Sequence, residues 1–200
     1  MNPPFPSSDG IPWHPRDGLS SLSECRQSSL RILFPSVMKC GDRPCSRSSV
    51  VVHIKPATED DFPALLQVQQ AAFGEYAGIY KLSGWTAETL ESLKDDAREK
   101  HILVAEANGE IVGSVRFWTV AGVCVIRLLS VSPASQSRGV GKALIREIER
   151  VTTDAHKIYA CTMLRTARNI QFFLNLGYKA ETILPDHYDH LDLICFAKYR

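Results

Sequence analysis

The feature that most constrains the fold is an apolar strand that runs into a short polar loop and then into a helix at two closely spaced glycines. The segment Leu129–Leu144 reads LSVSPASQSRGVGKAL, with the glycines at positions 139 and 141. The first N–H groups of a helix have no acceptor within the helix, and they lie at the positive end of the helix dipole. Glycines leave an anion room to approach these groups, and Arg138 and Lys142 add positive charge beside them. The segment therefore predicts a phosphate-binding turn.

Two common phosphate loops do not match this turn. A nucleoside triphosphate loop needs a glycine five residues before Gly141, where the chain has Gln136. It also needs a hydroxyl after Lys142, where Ala143 stands. A dinucleotide fingerprint needs a third glycine at the position of Leu144. A plain glycine turn before an amphipathic helix is the structural alternative, and two glycines alone would favour it.

The hydrophobic pattern on both sides of the turn predicts an α/β domain in the order β-α-α-β-β-β-α-β-α-β-β. Asn108-Gly109, between two apolar runs, indicates a hairpin. Thr58 and Thr86 are the expected N-caps of the first two helices. We expect strands over Val50–Ile54, Ile102–Glu106, Ile111–Val120, Val123–Val131, Ile158–Met163, Tyr178–Ile183 and Leu191–Lys198. We expect helices over Phe62–Phe73, Ala87–Lys100, Gly139–Thr152 and Ala167–Leu176.

Residues 1–49 differ in composition from the rest of the chain. They hold most of the 11 prolines and many serines, and no helical or alternating period extends over more than a few residues. Such a segment does not bury enough apolar surface to offset the entropy of ordering it. We therefore predict a disordered N-terminal extension over 1–49 and a single domain over 50–200. A docking or regulatory arm, and a natural start of translation at Met38, are the alternatives.

Bulk properties argue against several function classes. The formal net charge is +1, so no strong field points to nucleic acid or to an anionic membrane. The apolar stretch Leu30–Met38 is far shorter than the roughly 20 residues that a membrane span needs. The six cysteines contain no C-x-x-C pair. Cys124, Cys161 and Cys195 fall in predicted strands, where we expect reduced, packed thiols and hence a cytoplasmic protein.

The whole turn resembles the acetyl-coenzyme A signature of the GNAT superfamily of N-acetyltransferases, V-x-P followed by Q-x-x-G-[IV]-G. The matching residues are Val131, Pro133, Gln136, Gly139, Val140 and Gly141. A second segment, Asn169–Tyr178, is similar to the family's N-x-x-F-Y-x-x-x-G-F helix. The resemblance covers about residues 50–200. It implies a GNAT fold, with a central mixed, mostly antiparallel sheet of about seven strands flanked by about four helices.

The resemblance also implies roles for individual residues. In the family, the loop amides hold the pyrophosphate of coenzyme A, and the end of the preceding strand hydrogen-bonds the pantetheine arm. The implied coenzyme-binding residues are Leu129, Val131, Gln136, Ser137, Arg138, Gly139, Val140, Gly141, Lys142, Asn169 and Phe173. Phe173 stands where many members have the tyrosine that protonates the leaving thiolate, and a phenyl ring donates no proton. Tyr178 and Tyr188 are the alternative proton donors.

The resemblance leaves the catalytic base open, because the strand Val125–Leu129 lacks the glutamate that some members carry there. Glu75 is our candidate for the catalytic base, with a solvated loop charge as the alternative interpretation. Tyr76 and Tyr188 are our candidates for substrate contacts, because they lie in loops that shape the acceptor pocket in the family.

The implied function is transfer of an acetyl group from acetyl-CoA, as co-substrate, to an amine of an unidentified small molecule or peptide by direct attack. We expect no metal and no nucleic-acid or membrane partner, and a homodimer is left open. One alternative is a non-catalytic acyl-CoA-binding domain. The other is an acyltransferase that uses another acyl group or a hydroxyl acceptor.

Overall fold

The structure is a computed structural model, which describes residues 52–76, 88–188 and 191–200. In chain order, the strands are β1 (His53–Pro56), β2 (His101–Ala107), β3 (Glu110–Val120), β4 (Val123–Val131), β5 (Lys157–Met163), β6 (Lys179–Tyr188) and β7 (Leu191–Tyr199). The helices are α1 (Phe62–Phe73), α2 (Leu90–Glu99), α3 (Val140–Val151) and α4 (Ala167–Asn175). Across the described ranges, no helix combines the length and the apolar character needed to cross a membrane.

The seven strands form one sheet in the order β1-β2-β3-β4-β5-β7-β6. Only the pairing of β4 with β5 is parallel, and the other five pairings are antiparallel. The predicted α/β class, with a mixed, mostly antiparallel sheet of seven strands and four helices in the described residues, is confirmed. The predicted division between residues 49 and 50 falls outside the described residues and stays a prediction.

Alternation along the strands separates two cores, because successive side chains of a strand point to opposite faces of the sheet. Leu103 and Ala105 of β2 face α3 and join the larger core, whereas Ile102 and Val104 face α1 and α2. The larger core also contains Val115, Phe117, Ile126, Leu144, Ile145, Ile148, Ile158, Phe173, Tyr178 and Phe196. The smaller one contains Phe62, Leu65, Leu66 and Leu93.

A buried arginine ties the two N-terminal helices to the sheet. The side chain of Arg116, on β3, is 3% exposed. Its Nη1 lies 2.5 Å from Glu88 Oε1 and 2.7 Å from Asp96 Oδ2. Its Nη2 donates to Gln69 Oε1 at 3.2 Å. A buried cation is tolerated only with such partners. The cluster therefore anchors α1, α2 and Glu88, which lies two positions before α2, to the sheet.

Element boundaries differ from the sequence prediction by more than one residue in three elements. The first strand begins at His53, and the predicted start at Val50 lies outside the described residues. α2 begins at Leu90 after Thr89, whose hydroxyl accepts a hydrogen bond from the Ser92 N–H at 3.2 Å. The predicted cap Thr86 also lies outside the described residues. β6 continues to Tyr188, so part of the loop predicted after Ile183 is strand.

The prediction of reduced thiols is wrong for two of the three strand cysteines. Cys161 of β5 and Cys195 of β7 stand directly opposite each other in the register and form a disulfide. The sequence did not reveal the pair because its partners are 34 residues apart and only the strand register brings them together. Cys124 is free and buried, and burial raises the pKa of its thiol to about 11. The predicted cytoplasmic location was argued from reduced cysteines, and the disulfide removes that argument.

Candidate active site

The two parallel strands of the sheet separate toward their carboxyl ends, and we call the opening between them the cleft. β4 and β5 pair from Val123↔Lys157 to Ile126↔Ala160, and beyond that point both strands continue, to Val131 and Met163, without pairing to each other. The C-terminal half of β4 therefore presents a strand edge to the cleft, and an extended ligand with amide groups can hydrogen-bond to such an edge.

A β-bulge lies in the same half of β4. The register passes from Ser114↔Ser130 to Arg116↔Arg127, so two β4 residues, Leu128 and Leu129, stand opposite Val115. Leu128 has a φ of 51°, which is rare for a residue with a side chain. A bulge leaves its extra residue out of the ladder and re-aims the backbone. The sequence gives no signal for it, because neither residue is a glycine or a proline.

The anion turn, residues 136–142, joins the end of β4 to the first residues of α3 and presents open backbone amides. Gly139, the residue before α3, has a φ of 92°, and its carbonyl accepts from the Ala143 N–H at 2.9 Å. That is the first bond of the helical ladder, so the amides of residues 140–142 have no acceptor within the helix. The side chain of Val140 is 1% exposed in the core, which orients its backbone at the start of the helix. Arg138 and Lys142 are exposed beside the turn.

Space around the two glycines differs. A methyl group added at Gly139 would meet no atom within 4 Å. One added at Gly141 would lie 3.5 Å from the ring of Phe172 and 3.7 Å from Val131 Cγ2. Gly141 therefore marks the place where α3, the end of β4 and α4 converge, and the turn adjoins the cleft.

A chain of polar contacts joins the end of β4, the start of α4 and the segment after α1. Gln136 Nε2 donates to the Val131 carbonyl at 3.1 Å, which places Gln136 on the open end of β4. Gln136 Oε1 accepts from Arg168 Nη1 at 3.1 Å. Arg168 Nη2 in turn lies 2.5 Å from Glu75 Oε1. The predicted loop residue Gln136 is thus connected to the predicted base Glu75 through a residue of α4.

Glu75 is not an isolated base. Its carboxylate is paired with the guanidinium of Arg168, and 38% of its side chain is exposed. Sequence reasoning did not single out Arg168. A signal was present, since Arg168 is the second residue of α4 and a cation in the first helical turn opposes the helix dipole. A cation at this unfavourable position in a helix suggests that a contact elsewhere in the structure compensates for it.

Asn169 lies next to Arg168 and is hydrogen-bonded to two hydroxyl groups. Its Nδ2 donates to Thr162 Oγ1 at 3.0 Å and to Tyr76 Oη at 3.3 Å. Tyr76 is 7% exposed and packs with Met163 and Leu191. Burial raises the pKa of Tyr76 above its ordinary value, and the Glu75 carboxylate adds to the rise. The predicted coenzyme residue Asn169 and the predicted substrate residue Tyr76 are therefore in contact.

The two aromatic residues at the end of α4 lie in the core. Phe173 is 5% exposed and stacks on Phe196 at 5.4 Å between ring centroids. Its role as a coenzyme-binding residue, which the resemblance implied, stays a prediction. Tyr178 is 2% exposed, and its hydroxyl is buried without a hydrogen-bond partner among the described residues. The side chain of Tyr188 lies outside the described residues.

The residues present fit a long ligand with an anionic group near one end. The open amides at the start of α3 suit a pyrophosphate, and Leu129 and Val131 on the free edge of β4 suit an amide-bearing arm. Ser137, with a φ of 60°, and Gly139 shape the turn between them. Coenzyme A carries these two groups in this order, so the site can accommodate its pyrophosphate and pantetheine.

Solved structures of low sequence identity share this fold. The ribosomal-protein-S18-alanine N-acetyltransferase of Escherichia coli has a TM-score of 0.62 and 18% identity, over 74% of this chain and 94% of that chain. The PaiA N-acetyltransferase of Thermoplasma acidophilum in complex with coenzyme A has a TM-score of 0.63 and 18% identity, over 75% and 99%. Ard1 of Thermoplasma volcanium has a TM-score of 0.65 and 18% identity, over 75% and 98%. At these identities the likeness shows the fold alone.

The comparison of sequences gives the family. A search of curated proteins found no match. The family model described as "Acetyltransferase (GNAT) family" matches residues 63–178, which is more than half of the chain. The matched range includes α1 apart from its first residue, the anion turn and α4. This protein belongs to the acetyltransferase (GNAT) family.

Proposed function

We propose that this protein transfers an acetyl group from acetyl-CoA to an amine of a small molecule or peptide, which attacks the thioester directly. Family membership supports acyl transfer from an acyl-CoA. The observation that carries the proposal is the junction of the divergent β4–β5 pair with the open amides of the turn before α3. One cleft thereby offers a strand edge and an anion site side by side.

The coenzyme is proposed to enter with its pyrophosphate over residues 136–142. The backbone amides at the start of α3 donate to the phosphate oxygens, and Arg138 and Lys142 add charge from the surface. The free edge of β4 from Leu129 to Val131 binds the pantetheine amides. Gln136, which already donates to the Val131 carbonyl, fixes the corner between the two parts. Bound acetyl-CoA supplies the acetyl thioester, a group that a neutral amine attacks.

The acceptor amine must lose a proton to react. A lysine-like amine has a pKa of about 10.4, so deprotonating it at pH 7 costs roughly 4.6 kcal/mol. Glu75 stays our candidate to receive that proton, directly or through water, with Arg168 holding its carboxylate in place. A backbone N–H at the bulge of Leu128 and Leu129 is proposed to stabilise the charge that develops on the thioester oxygen. Holding both reactants in one cleft lowers the barrier further.

The acceptor class is kept broad. The Escherichia coli structure is named for acetylation of an alanine of a ribosomal protein, which makes a peptide N-terminus worth testing. At 18% identity this name does not transfer, so small-molecule amines belong in the same screen. A cytoplasmic location and a homodimer stay predictions.

A second candidate is a domain that binds acyl-CoA without turning it over. Two observations favour it: the family's donor position is a buried phenyl ring at Phe173, and the carboxylate of Glu75 is committed to Arg168. A third candidate, a hydroxyl acceptor or a longer acyl group, has no observation of its own.

The deciding experiment incubates the full chain with acetyl-CoA and a mixed panel of small amines and short peptides. Thiol release is followed with a colorimetric reagent, and products are identified by mass spectrometry. We expect release of thiol in step with an acetylated amine. Tight coenzyme binding with no release across a broad panel would favour the binding domain, and an ester product would favour a hydroxyl acceptor.

A further inference from the structure

Arg168 places one cation between two partners of different charge. Its Nη1 donates to the neutral amide oxygen of Gln136 at 3.1 Å, and its Nη2 lies 2.5 Å from a carboxylate oxygen of Glu75. A neutral amide oxygen is a weaker partner for a guanidinium than a charged oxygen is. The Nη1 contact is therefore the one that an incoming anion can replace.

The neutral partner of Arg168 lies at the junction of the anion turn and the free edge of β4. Gln136 is the first residue of the turn, and its Nε2 donates to the Val131 carbonyl. The Ser132 N–H donates to the Val112 carbonyl of β3. Because strand residues alternate in direction, the Val131 carbonyl points away from β3, toward the cleft. Nη1 of Arg168 therefore lies at the turn over which the coenzyme pyrophosphate is proposed to bind.

Exposure lets the Arg168 guanidinium change a partner at low cost. The side chain of Arg168 is 54% exposed and that of Glu75 is 38% exposed. An exposed ion pair contributes little to stability, because water solvates both charges. A guanidinium binds phosphate oxygens with short, charge-assisted hydrogen bonds that match its planar geometry. A phosphate at the turn is thus a stronger partner for Nη1 than the amide of Gln136 is.

We propose that Arg168 is a cation shared between the coenzyme and Glu75: Nη1 leaves the Gln136 amide for a pyrophosphate oxygen, while Nη2 keeps the Glu75 carboxylate. This rests on the proposed function. One positive charge is then divided between two anions, so the coenzyme and Glu75 compete for it. Two sites that compete for one charge are coupled, and the coupling is reciprocal.

The coupling has a consequence for Glu75, the candidate base. With part of the Arg168 charge drawn to the pyrophosphate, the carboxylate of Glu75 is less fully neutralised and attracts the ammonium group of an acceptor more strongly. Glu75 keeps its position, because the Tyr76 hydroxyl is also hydrogen-bonded to its carboxylate. Coenzyme binding therefore prepares the base for the acceptor without moving it.

The first test removes the cation and measures coenzyme A binding to the full chain by calorimetric titration. Arg168→Met should weaken binding by about tenfold, the low end for loss of one charge-assisted hydrogen bond. Arg168→Lys keeps the charge and should bind within about threefold of the unaltered chain. The control is Arg150→Met, because Arg150 is an exposed arginine that pairs with Glu147 in the last turn of α3. It should leave coenzyme affinity unchanged, and urea denaturation should give Arg150→Met and Arg168→Met similar free energies of unfolding.

The second test separates a shared cation from an ion pair that only supports the fold. Glu75→Gln removes the competing charge and should tighten coenzyme A binding by about two- to fivefold, the range for an exposed pair. A purely structural pair predicts weaker or unchanged binding. In the Arg168→Met background, Glu75→Gln should change the affinity no further, because both residues act through one cation. Glu147→Gln is the matched control and should have no effect.

A second ligand identifies the phosphate that Arg168 contacts. Dephospho-coenzyme A keeps the pyrophosphate and lacks the phosphate on the ribose. Arg168→Met should weaken the binding of both ligands by the same factor, within about twofold. A loss of affinity confined to coenzyme A would assign Arg168 to the ribose phosphate and would overturn the pyrophosphate contact.

The outcomes are distinct. If the unaltered chain does not bind coenzyme A, the proposed function fails and the inference about Arg168 fails with it. If the unaltered chain binds coenzyme A and Arg168→Met binds it equally well, the inference is wrong and the proposed function stands. A Glu75→Gln variant that binds coenzyme A no more tightly than the unaltered chain also overturns the shared cation.

Discussion

Gly139→Ala gives the sharpest mutational test of the anion turn, because the chain contains a matched control. Gly139 has a φ of 92° and Gly109, in the β2–β3 hairpin, has a φ of 81°. A methyl group at either position meets no atom within 4 Å. Alanine in this left-handed region costs about 1–2 kcal/mol. The two variants should therefore lose similar free energies of unfolding, measured by urea denaturation.

Their coenzyme affinities should differ. The added methyl group at Gly139 projects from the turn where the pyrophosphate is proposed to lie, whereas Gly109 is in a separate hairpin. Loss of one charge-assisted hydrogen bond costs about 1.5–3 kcal/mol, and every 1.4 kcal/mol is tenfold in affinity. Calorimetric titration with coenzyme A should show binding weakened by about 10- to 100-fold in Gly139→Ala and unchanged in Gly109→Ala. Equal affinities in the two variants would refute the assignment of the turn.

Four further predictions concern stability. Arg116→Met leaves Glu88 and Asp96 without their buried cation and should lower the free energy of unfolding by about 3–5 kcal/mol; a loss below 1 kcal/mol on a urea curve would contradict this. Burial opposes ionisation of Asp96, but hydrogen bonds from Lys100 and Arg116 outweigh it and hold the pKa of Asp96 below its ordinary value. The stability that ionised Asp96 contributes is therefore present above its ordinary pKa and is lost as pH falls through the lowered pKa. The melting temperature should fall with pH in this range, and Asp96→Asn should make that fall smaller. Reduction of Cys161–Cys195, which closes a 34-residue separation, should cost about 2–4 kcal/mol, and an unchanged melting temperature in dithiothreitol would show that the disulfide does not stabilise the protein. Phe173→Ala, which opens a cavity against Phe196, should cost about 3–5 kcal/mol; the same urea assay would contradict this if the variant matched the parent protein.

Local signals in the sequence predicted most of the fold. The Asn108-Gly109 dipeptide predicted the β2–β3 hairpin, and both residues have the positive φ that such a turn requires. β4 runs from Val123 to Val131, as its apolar run predicted. α3 begins at Val140, directly after the glycine that the anion turn needs. In these segments the period of the side chains and the turn residues point to the same structure.

The sequence was less informative where distant residues meet. Asn169 and Tyr76 are 93 positions apart, and nothing in either neighbourhood indicates that they are hydrogen-bonded. The disulfide depends on the register of two strands, which no local pattern specifies. The bulge at Leu128 has an ordinary local sequence, and its strained φ is imposed by the strands around it. Site geometry of this kind is a property of tertiary packing.

The most direct measurement of the central claim uses acetyl-CoA with an isotopic label in the acetyl group. The full chain is incubated with the labelled coenzyme and the amine panel, and the products are read by mass spectrometry with free thiol measured in parallel. The account predicts one labelled N-acetyl product for each thiol released, and loss of both in Gly139→Ala when acetyl-CoA is below saturation. Labelled coenzyme that binds to the protein and is recovered intact, with no labelled amide from any acceptor, would contradict it.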